Sequence, residues 1–174
     1  MIAVQLSPEE MAIASIVGGF RQAESLRSNR RDAHGMPDDH DGLACHILGA
    51  AGEMAVAKVL GRYWAGDVCT FKRPDVGANV QVRTRSRETY DLIVRDDDAD
   101  EDWFVLVTGN GSKLNVHGFI RGADAKRPEW RAPPRRKTAR VLRPENRTPT
   151  AGEESMSSSS ESSALGRARA AYPK

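Results

Sequence analysis

Apolar residues recur at helical spacing near the start of the chain, directly after a cap signal. In "LSPEEMAIASIVGGFRQAES", Ser7 suits the N-cap, Pro8 the first helical position, and Glu10 completes a capping box. The apolar residues that then share one helical face are Ile13, Ile16, Val17 and Phe20. The pattern predicts a helix, which ends before the polar connector "SNRRDAHGMPDDHDG".

A second stripe of the same period follows in "LACHILGAAGEMAVAKVLG". Its members are Leu43, Ile47, Ala50, Met54 and Ala57. Gly61 lies where a C-terminal cap is expected, so the stripe predicts a second helix that ends there. Small residues around Glu53 allow this helix to approach its neighbour closely, while Glu53 itself lies at the edge of the buried stripe. A carboxylate in that place needs a partner, for which Arg83 and Lys58 are the candidates.

Beyond Gly61 the pattern changes to short apolar or alternating runs, which are typical of strands. The runs are "DVCTF", "NVQVRT", "DLIVR", "WFVLVTG" and "LNVHGFIRG". "WFVLV" is apolar throughout, as expected of a central strand that is covered on both faces. "NVQVRT" alternates, which puts Gln81 and Arg83 on one face of its strand and the valines on the other. The order of elements predicts an α/β fold with a central mixed sheet flanked by helices.

Composition divides the chain of 174 residues into one domain and a tail. We predict a single α/β domain over residues 1–147, of which 126–147 form a basic arm, and a Ser-rich disordered tail over 148–174. The acidic run "DDDADED" at Asp96–Asp102 is interpreted as a solvated turn, because it lacks the glycine and the distal glutamate of a calcium loop.

The overall charge and the cysteines exclude several classes of protein. A net charge of +2 gives no strongly basic field around the whole molecule. Cys45 and Cys69 lack the spacing of a disulfide framework or a four-cysteine zinc site. No run approaches the roughly 18 apolar residues of a membrane-spanning helix, and the start lacks the features of a signal peptide. We therefore expect a cytoplasmic protein.

Three functional side chains are close together in "PDVGANVQVRT". Asp75 begins a predicted hairpin with a Gly-Ala-Asn turn, and Gln81 and Arg83 follow on its second strand. Carboxylate and amide oxygens suit a hard cation such as Mg²⁺, and a guanidinium stabilises phosphate charge. The stretch is therefore compatible with a metal-dependent phosphodiester site. A solvated hairpin with ordinary turn chemistry is the alternative reading.

With Glu53 on the preceding helix, this arrangement resembles the PD-(D/E)xK phosphodiesterase superfamily. The resemblance implies a nuclease-like fold in which Glu53, Asp75, Gln81 and Arg83 are the catalytic residues. It also implies that Glu53, Asp75 and Gln81 hold Mg²⁺ or Mn²⁺.

The chain departs from that superfamily at two places. Arg83 replaces the lysine and cannot lose a proton, although it can still contact phosphate in a bidentate manner. Gln81 replaces an acid, which lowers the negative charge of the site. Lys58 or Lys72 could supply the missing lysine from a neighbouring element.

Longer segments resemble a group of uncharacterised phage and prophage proteins. They read "GAAGEMAVAKVLGRYW", "DVGANVQVRTRSRETYDLIVRDDD" and "WFVLVTGNGSKLNVHGFIRGADAKRPEW", within the range from Ser7 to Trp130. The resemblance implies a phage or prophage origin and a place in the cytoplasm of a bacterial host. The expected function is metal-dependent nuclease action on DNA phosphodiesters, with homodimer formation left open. The alternative is a catalytically degenerate nuclease fold that binds nucleic acid or a protein partner without cleavage.

Basic residues near these segments are the candidates for nucleic-acid binding. They are Arg85 and Arg87 beside the alternating strand, and Arg135, Arg136 and Lys137 in the basic arm. Their charges can neutralise phosphates independently of sequence. In the arm they could instead serve only to keep a terminal segment in solution.

Overall fold

The computed structural model describes residues 1–28, 42–68 and 73–130, together with the backbone of 138–141. The connector after Ser28, most of the predicted strand "DVCTF", the side chains of the basic arm beyond Trp130 and the Ser-rich tail lie outside the described residues.

The described chain begins with a short strand and two long helices. These are β1 (Ile2–Gln5), α1 (Pro8–Arg27) and α2 (Gly42–Leu60). The elements that follow are β2 (Val80–Arg85), β3 (Leu92–Arg95), β4 (Trp103–Asn110), β5 (Lys113–Arg121), α3 (Gly122–Ala125), a 3-10 turn at Pro128–Trp130 and β6 (Thr138–Val141). Neither β1 nor β6 was predicted, because each has only four residues and pairs with a strand distant in sequence.

Four of the strands form an open mixed sheet in the order β1-β5-β4-β2. β2 runs parallel to β4, whereas β4 with β5 and β5 with β1 are antiparallel pairs. β3 and β6 pair with each other in a second, two-stranded sheet. β2 thus lies at one edge of the main sheet, where a bridge between Val76 and Val80 closes the predicted hairpin. The expected α/β class with a mixed sheet and packed helices is confirmed.

The main core lies between α2 and one face of the sheet. Val82, Val105 and Val107 point to this side and are buried with the alanines of α2. On the opposite face, Phe104 and Leu106 pack with β3. β4 is therefore covered on both faces, as its apolar run predicted.

α1 begins with the predicted capping box and packs on α2 through small residues. The Ser7 hydroxyl accepts a hydrogen bond from the Glu10 amide at 3.2 Å, and the Glu10 carboxylate accepts one from the Ser7 amide at 2.6 Å. Ala14 and Gly18 are buried at the contact, and a Cβ at Gly18 would lie 2.6 Å from the backbone of Ile47. Of the large apolar residues from which this helix was predicted, Val17 packs against the core, whereas Ile13, Ile16 and Phe20 lie on a different face and are exposed.

α2 owes its apolar composition to its place in the core. Residues 50–57 are buried without interruption. By length and composition alone, α2 could cross a membrane, which the sequence expectation did not anticipate. The core helix of a folded domain passes the same test, and the contacts of residues 50–57 with α1 and the sheet account for its apolar character.

Two glycines of α2 provide a matched test of how closely this helix approaches the sheet. A Cβ at Gly52 would lie 1.9 Å from Oγ1 and 2.9 Å from Cβ of Thr84 on β2, whereas a Cβ at Gly49 meets no atom within 4 Å. We expect Gly52→Ala to lower the free energy of unfolding by about 1–3 kcal/mol through overpacking. Gly49→Ala should raise it by up to about 1 kcal/mol through helix propensity. Urea unfolding followed by circular dichroism measures both, and a neutral Gly52→Ala would contradict the close approach.

Candidate site at the edge of β2

Glu53 is buried in α2 and is held by a partner on α1. Its two carboxylate oxygens accept hydrogen bonds from Nη1 and Nη2 of Arg21 at 2.6 and 2.8 Å. Oε2 also accepts one from the indole Nε1 of Trp64 at 3.0 Å. The requirement for a partner was predicted correctly, but the partner is neither Lys58 nor Arg83. Lys58 instead forms an ion pair with Glu10 at 2.8 Å.

The Arg21 guanidinium links several groups at this point. Besides Glu53, it donates to the carbonyl of Asp67 from Nε at 3.0 Å and from Nη2 at 2.7 Å. Burial by itself would lower the pKa of Arg21, but the hydrogen bonds to Glu53 and the charges of Glu53, Asp75 and Asp67 outweigh it and raise the pKa. Arg21 is thus the cation that the surrounding carboxylates share.

Asp75 is held where the hairpin meets β2. Its Oδ2 accepts a hydrogen bond from the amide of Val82 at 2.7 Å, and its own amide donates to the carbonyl of Val80 at 2.9 Å. The turn needs Gly77, whose φ of 64° is in the left-handed region. The carboxyl is therefore fixed against the backbone of β2 rather than free in a solvated loop.

The electrostatic environment of Asp75 favours its protonated form. Desolvation is the largest cause, the charge of Glu53 adds to it, and together they raise the pKa of Asp75 to about 7. The hydrogen bond from Val82 and the charges of Arg83 and Arg21 oppose this rise only in part. A carboxyl group whose pKa is raised by burial and by a neighbouring carboxylate is a frequent feature of functional sites.

Gln81 and Arg83 share a face of β2, as alternation predicted, but their partners belong to the acidic run. Nε2 of Gln81 donates to Oδ2 of Asp102 at 3.0 Å. Nη2 of Arg83 donates to Oδ1 of Asp98 at 3.1 Å, and its guanidinium lies 5.2 Å from the centre of the Phe104 ring. This is the sheet face that carries Phe104, whereas α2 and Glu53 pack on the other face.

The acidic run is consequently more than a solvated turn. Asp102 is buried, and Asp98 also accepts a hydrogen bond from the amide of Arg95 at 2.8 Å. Lys126 donates to the carbonyl of Asp98 and, at 2.7 Å, to the carboxylate of Asp100. Asp96 and Asp97 are exposed, so the interpretation of the run as a solvated turn is correct for these two residues. The run thus supplies two inward carboxylates to β2.

The structure brings some of the expected site residues together and separates others. Glu53 and Asp75 interact electrostatically, and the charge of Arg83 reaches Asp75. Gln81 is bonded to Asp102, so its role as a metal ligand stays a prediction. Within residues 1–28, 42–68 and 73–130, no group of three or more His, Cys, Asp or Glu side chains is arranged to hold a metal ion.

A second feature lies at the C-terminal end of β2 and in the residues that follow it. The guanidiniums of Arg85 and Arg87 lie 4.7 and 5.7 Å from the centre of the Tyr90 ring. Arg87 is exposed and Arg85 is half-buried, so the pair presents two positive charges beside an aromatic ring. The other predicted nucleic-acid ligands, Arg135, Arg136 and Lys137, lie outside the described residues, as does Lys72.

Sequence reasoning missed Arg21, Trp64, Asp98 and Asp102 as members of this region. Glu53 signalled the need for a cation, but nothing in the spacing of α1 marks Arg21, which is 32 positions away. Comparison of the chain with models of protein families, with curated proteins and with solved structures gives no match.

Removal of one partner of the Arg21–Glu53 pair should strongly destabilise the packing of the two helices. Its side chains are 18% and 9% exposed, against 60% and 44% for the surface pair of Arg127 and Asp124. Arg21→Met leaves a buried carboxylate without its cation, and we expect a loss of about 3–5 kcal/mol. Arg127→Met is the matched control and should cost less than about 1 kcal/mol. Equal effects of the two variants on the urea midpoint would contradict a structural role for the buried pair.

Asp75 should make the stability of the protein fall as pH rises. Its pKa in the folded state, about 7, exceeds the ordinary value of 3.8, so between these pH values the folded state binds more protons than the unfolded state. Stability is therefore lost as pH rises through this window. Asp75→Asn keeps an oxygen for the Val82 amide and removes the titration. We expect the variant to gain about 1–2 kcal/mol over the wild type between pH 5 and pH 8, after allowance for partial exposure. Parallel curves of unfolding free energy against pH would contradict this.

Proposed function

We propose that the chain is a PD-(D/E)xK-like protein that hydrolyses DNA phosphodiesters with Mg²⁺ or Mn²⁺. The observation that carries the proposal is the desolvated Asp75 carboxyl, whose pKa Glu53 helps to raise to about 7. An acid with this pKa beside a second carboxylate is an electrostatic arrangement that a bound divalent cation would relieve.

The donor chemistry of this region fits a divalent metal. Mg²⁺ is commonly held by one or two carboxylates together with water and substrate phosphates. Glu53 and Asp75 would supply the carboxylates. When bound, the metal would supply Lewis acidity toward the phosphate and would lower the pKa of a bound water.

The protein's own residues have distinct parts in this proposal. Asp75 must be ionised to bind a cation, so metal affinity should increase as pH rises through about 7. Arg83 lies on the opposite sheet face, where Nη2 is bonded to Asp98, so a phosphate contact by Arg83 would have to compete with Asp98 or use its other N–H donors. Arg85 and Arg87 would contact the DNA backbone, because their charges are presented beside Tyr90 at the end of the same strand.

A second candidate function is supported by a different observation. Both oxygens of Glu53 are engaged by Arg21, and Gln81 and Arg83 are engaged by the acidic run. A site whose acid is already neutralised by an internal guanidinium suits a module that binds nucleic acid without cutting it. A phage or prophage origin and a location in the host cytoplasm are part of both proposals, on the resemblance described above.

Cleavage and binding are measured together on the full chain. Supercoiled, linear and four-way-junction DNA are incubated with Mg²⁺, with Mn²⁺ and with chelator, using wild type, Asp75→Ala and the double variant Arg85→Ala/Arg87→Ala. We expect metal-dependent nicking that Asp75→Ala reduces at least about 100-fold, since it removes a proposed metal ligand. The arginine double variant should weaken DNA binding about 10-fold and reduce the salt slope by about 2.

The control is Arg127→Ala, which removes one exposed arginine elsewhere and should leave both readouts unchanged. DNA that stays intact in every condition while binding persists would reject the nuclease and support the non-cleaving module. Absence of both cleavage and binding would reject both.

A further inference from the structure

One face of α1 carries an exposed seam with coiled-coil spacing. Its members are Glu9, Ile13, Ile16, Phe20, Ala23 and Arg27, separated by four, three, four, three and four positions. This is the alternation of a heptad repeat, in which two positions of every seven form the contact with a partner helix. We call these six residues the α1 seam.

The apolar members of the α1 seam are not buried by the fold of the described residues. Its charged ends do have local partners, because Glu9 accepts a hydrogen bond from the Ser7 hydroxyl at 2.7 Å and Arg27 pairs with Glu24 at 2.6 Å. Ile13, Ile16 and Phe20 are 51%, 60% and 62% exposed, and the other three members are exposed as well. α1 packs on α2 through Ala14 and Gly18, which are buried on a different face of the helix. Three large apolar side chains in one line on an exposed helix face are unusual, whereas scattered single ones are normal.

We infer that the α1 seam is the contact surface of a homodimer in which two copies of α1 pack antiparallel. Its spacing is symmetric about the midpoint between Ile16 and Phe20. In an antiparallel pair, Ile16 would therefore lie opposite Phe20 of the partner subunit, and Ile13 opposite Ala23 of the partner subunit. Ile13 would then face a small side chain, while Ile16 and Phe20 would bury two large apolar side chains against each other at the centre of the contact.

The charges at the two ends of the α1 seam select this occupant and this direction. Glu9 lies in the first turn of α1 and Arg27 in its last turn. An antiparallel second copy would add a Glu9 of the partner subunit beside each Arg27, which would then lie between that carboxylate and Glu24 of its own helix. A parallel copy would instead place the two Glu9 side chains together and the two Arg27 side chains together. A surface that is complementary to itself in both shape and charge is what a twofold interface needs. The inference does not depend on the proposed function.

The first test is the mass of the full chain in solution. Light scattering after size exclusion should give twice the monomer mass of 19.1 kDa for the wild type. Phe20→Glu and Ile16→Glu should each give the monomer. Leu26→Glu is the matched control, because Leu26 is 70% exposed on α1 but outside the seam, and it should leave the dimer intact. Circular dichroism verifies that each variant is folded.

The second test distinguishes the direction of the helices, in a background of Cys45→Ser and Cys69→Ser. A mixture of Ile16→Cys and Phe20→Cys chains should form a disulfide-linked dimer under mild oxidation, while either chain alone should not. Reversal of one charge, by Glu9→Arg or Arg27→Glu, should weaken the dimer about 10-fold or more. Both reversals in one chain should restore it.

Three outcomes would overturn the inference. They are a monomeric wild type at high concentration, a dimer that Phe20→Glu leaves intact, and efficient cross-linking of Ile16→Cys chains with themselves, which indicates parallel helices. A monomer whose Phe20 is protected from solvent would mean that another segment of this chain covers the seam.

Discussion

The buried negative charge of Glu53 is the constraint around which this molecule is organised. A carboxylate in the core between two helices and a sheet is tolerated only with a cation and hydrogen bonds. Arg21 supplies both, and it does so from α1, so the ion pair fixes α1 against α2. The same charge reaches Asp75 and raises its pKa. One acidic residue therefore links the packing of the helices to the chemistry of the sheet edge.

The charges around β2 are balanced separately on its two faces. On the side of α2, Arg21 compensates Glu53, and on the other side Asp98 compensates Arg83. The charges of Arg83 and Arg21, one from each pair, both act to lower the pKa of Asp75, but burial and the charge of Glu53 outweigh them. A divalent cation at this edge would have to compete with Arg21 for Glu53. The two candidate functions differ in whether binding of substrate and metal can displace that guanidinium.

Local signals were sufficient for part of this structure. The sequence pattern predicts the capping box, the two helices and the alternation of β2, because each depends only on residues close together in sequence. The partner of Glu53 was wrongly assigned because it is fixed by the packing of α1 on α2. The acidic run was interpreted as solvated because its composition alone does not show that Gln81 and Arg83 will turn toward Asp102 and Asp98. These features depend on contacts between segments that are distant in sequence, and such contacts cannot be recognised from the pattern of a single sequence.

The two faces of α1 meet different requirements, one for packing on α2 and one for the proposed contact with a second copy of the chain. Close contact with α2 needs small residues, and Ala14 and Gly18 provide them. Large apolar residues on the other, exposed face of α1 gain nothing from the fold of one chain. Full burial of each such side chain would contribute about 1.5–3 kcal/mol. The α1 seam gives those residues a use, and Arg21 follows directly after its member Phe20 on another face of the helix. Contact at the seam would therefore restrain the helix that carries the cation of Glu53, which connects self-association to the candidate site through a rigid element rather than through a loop.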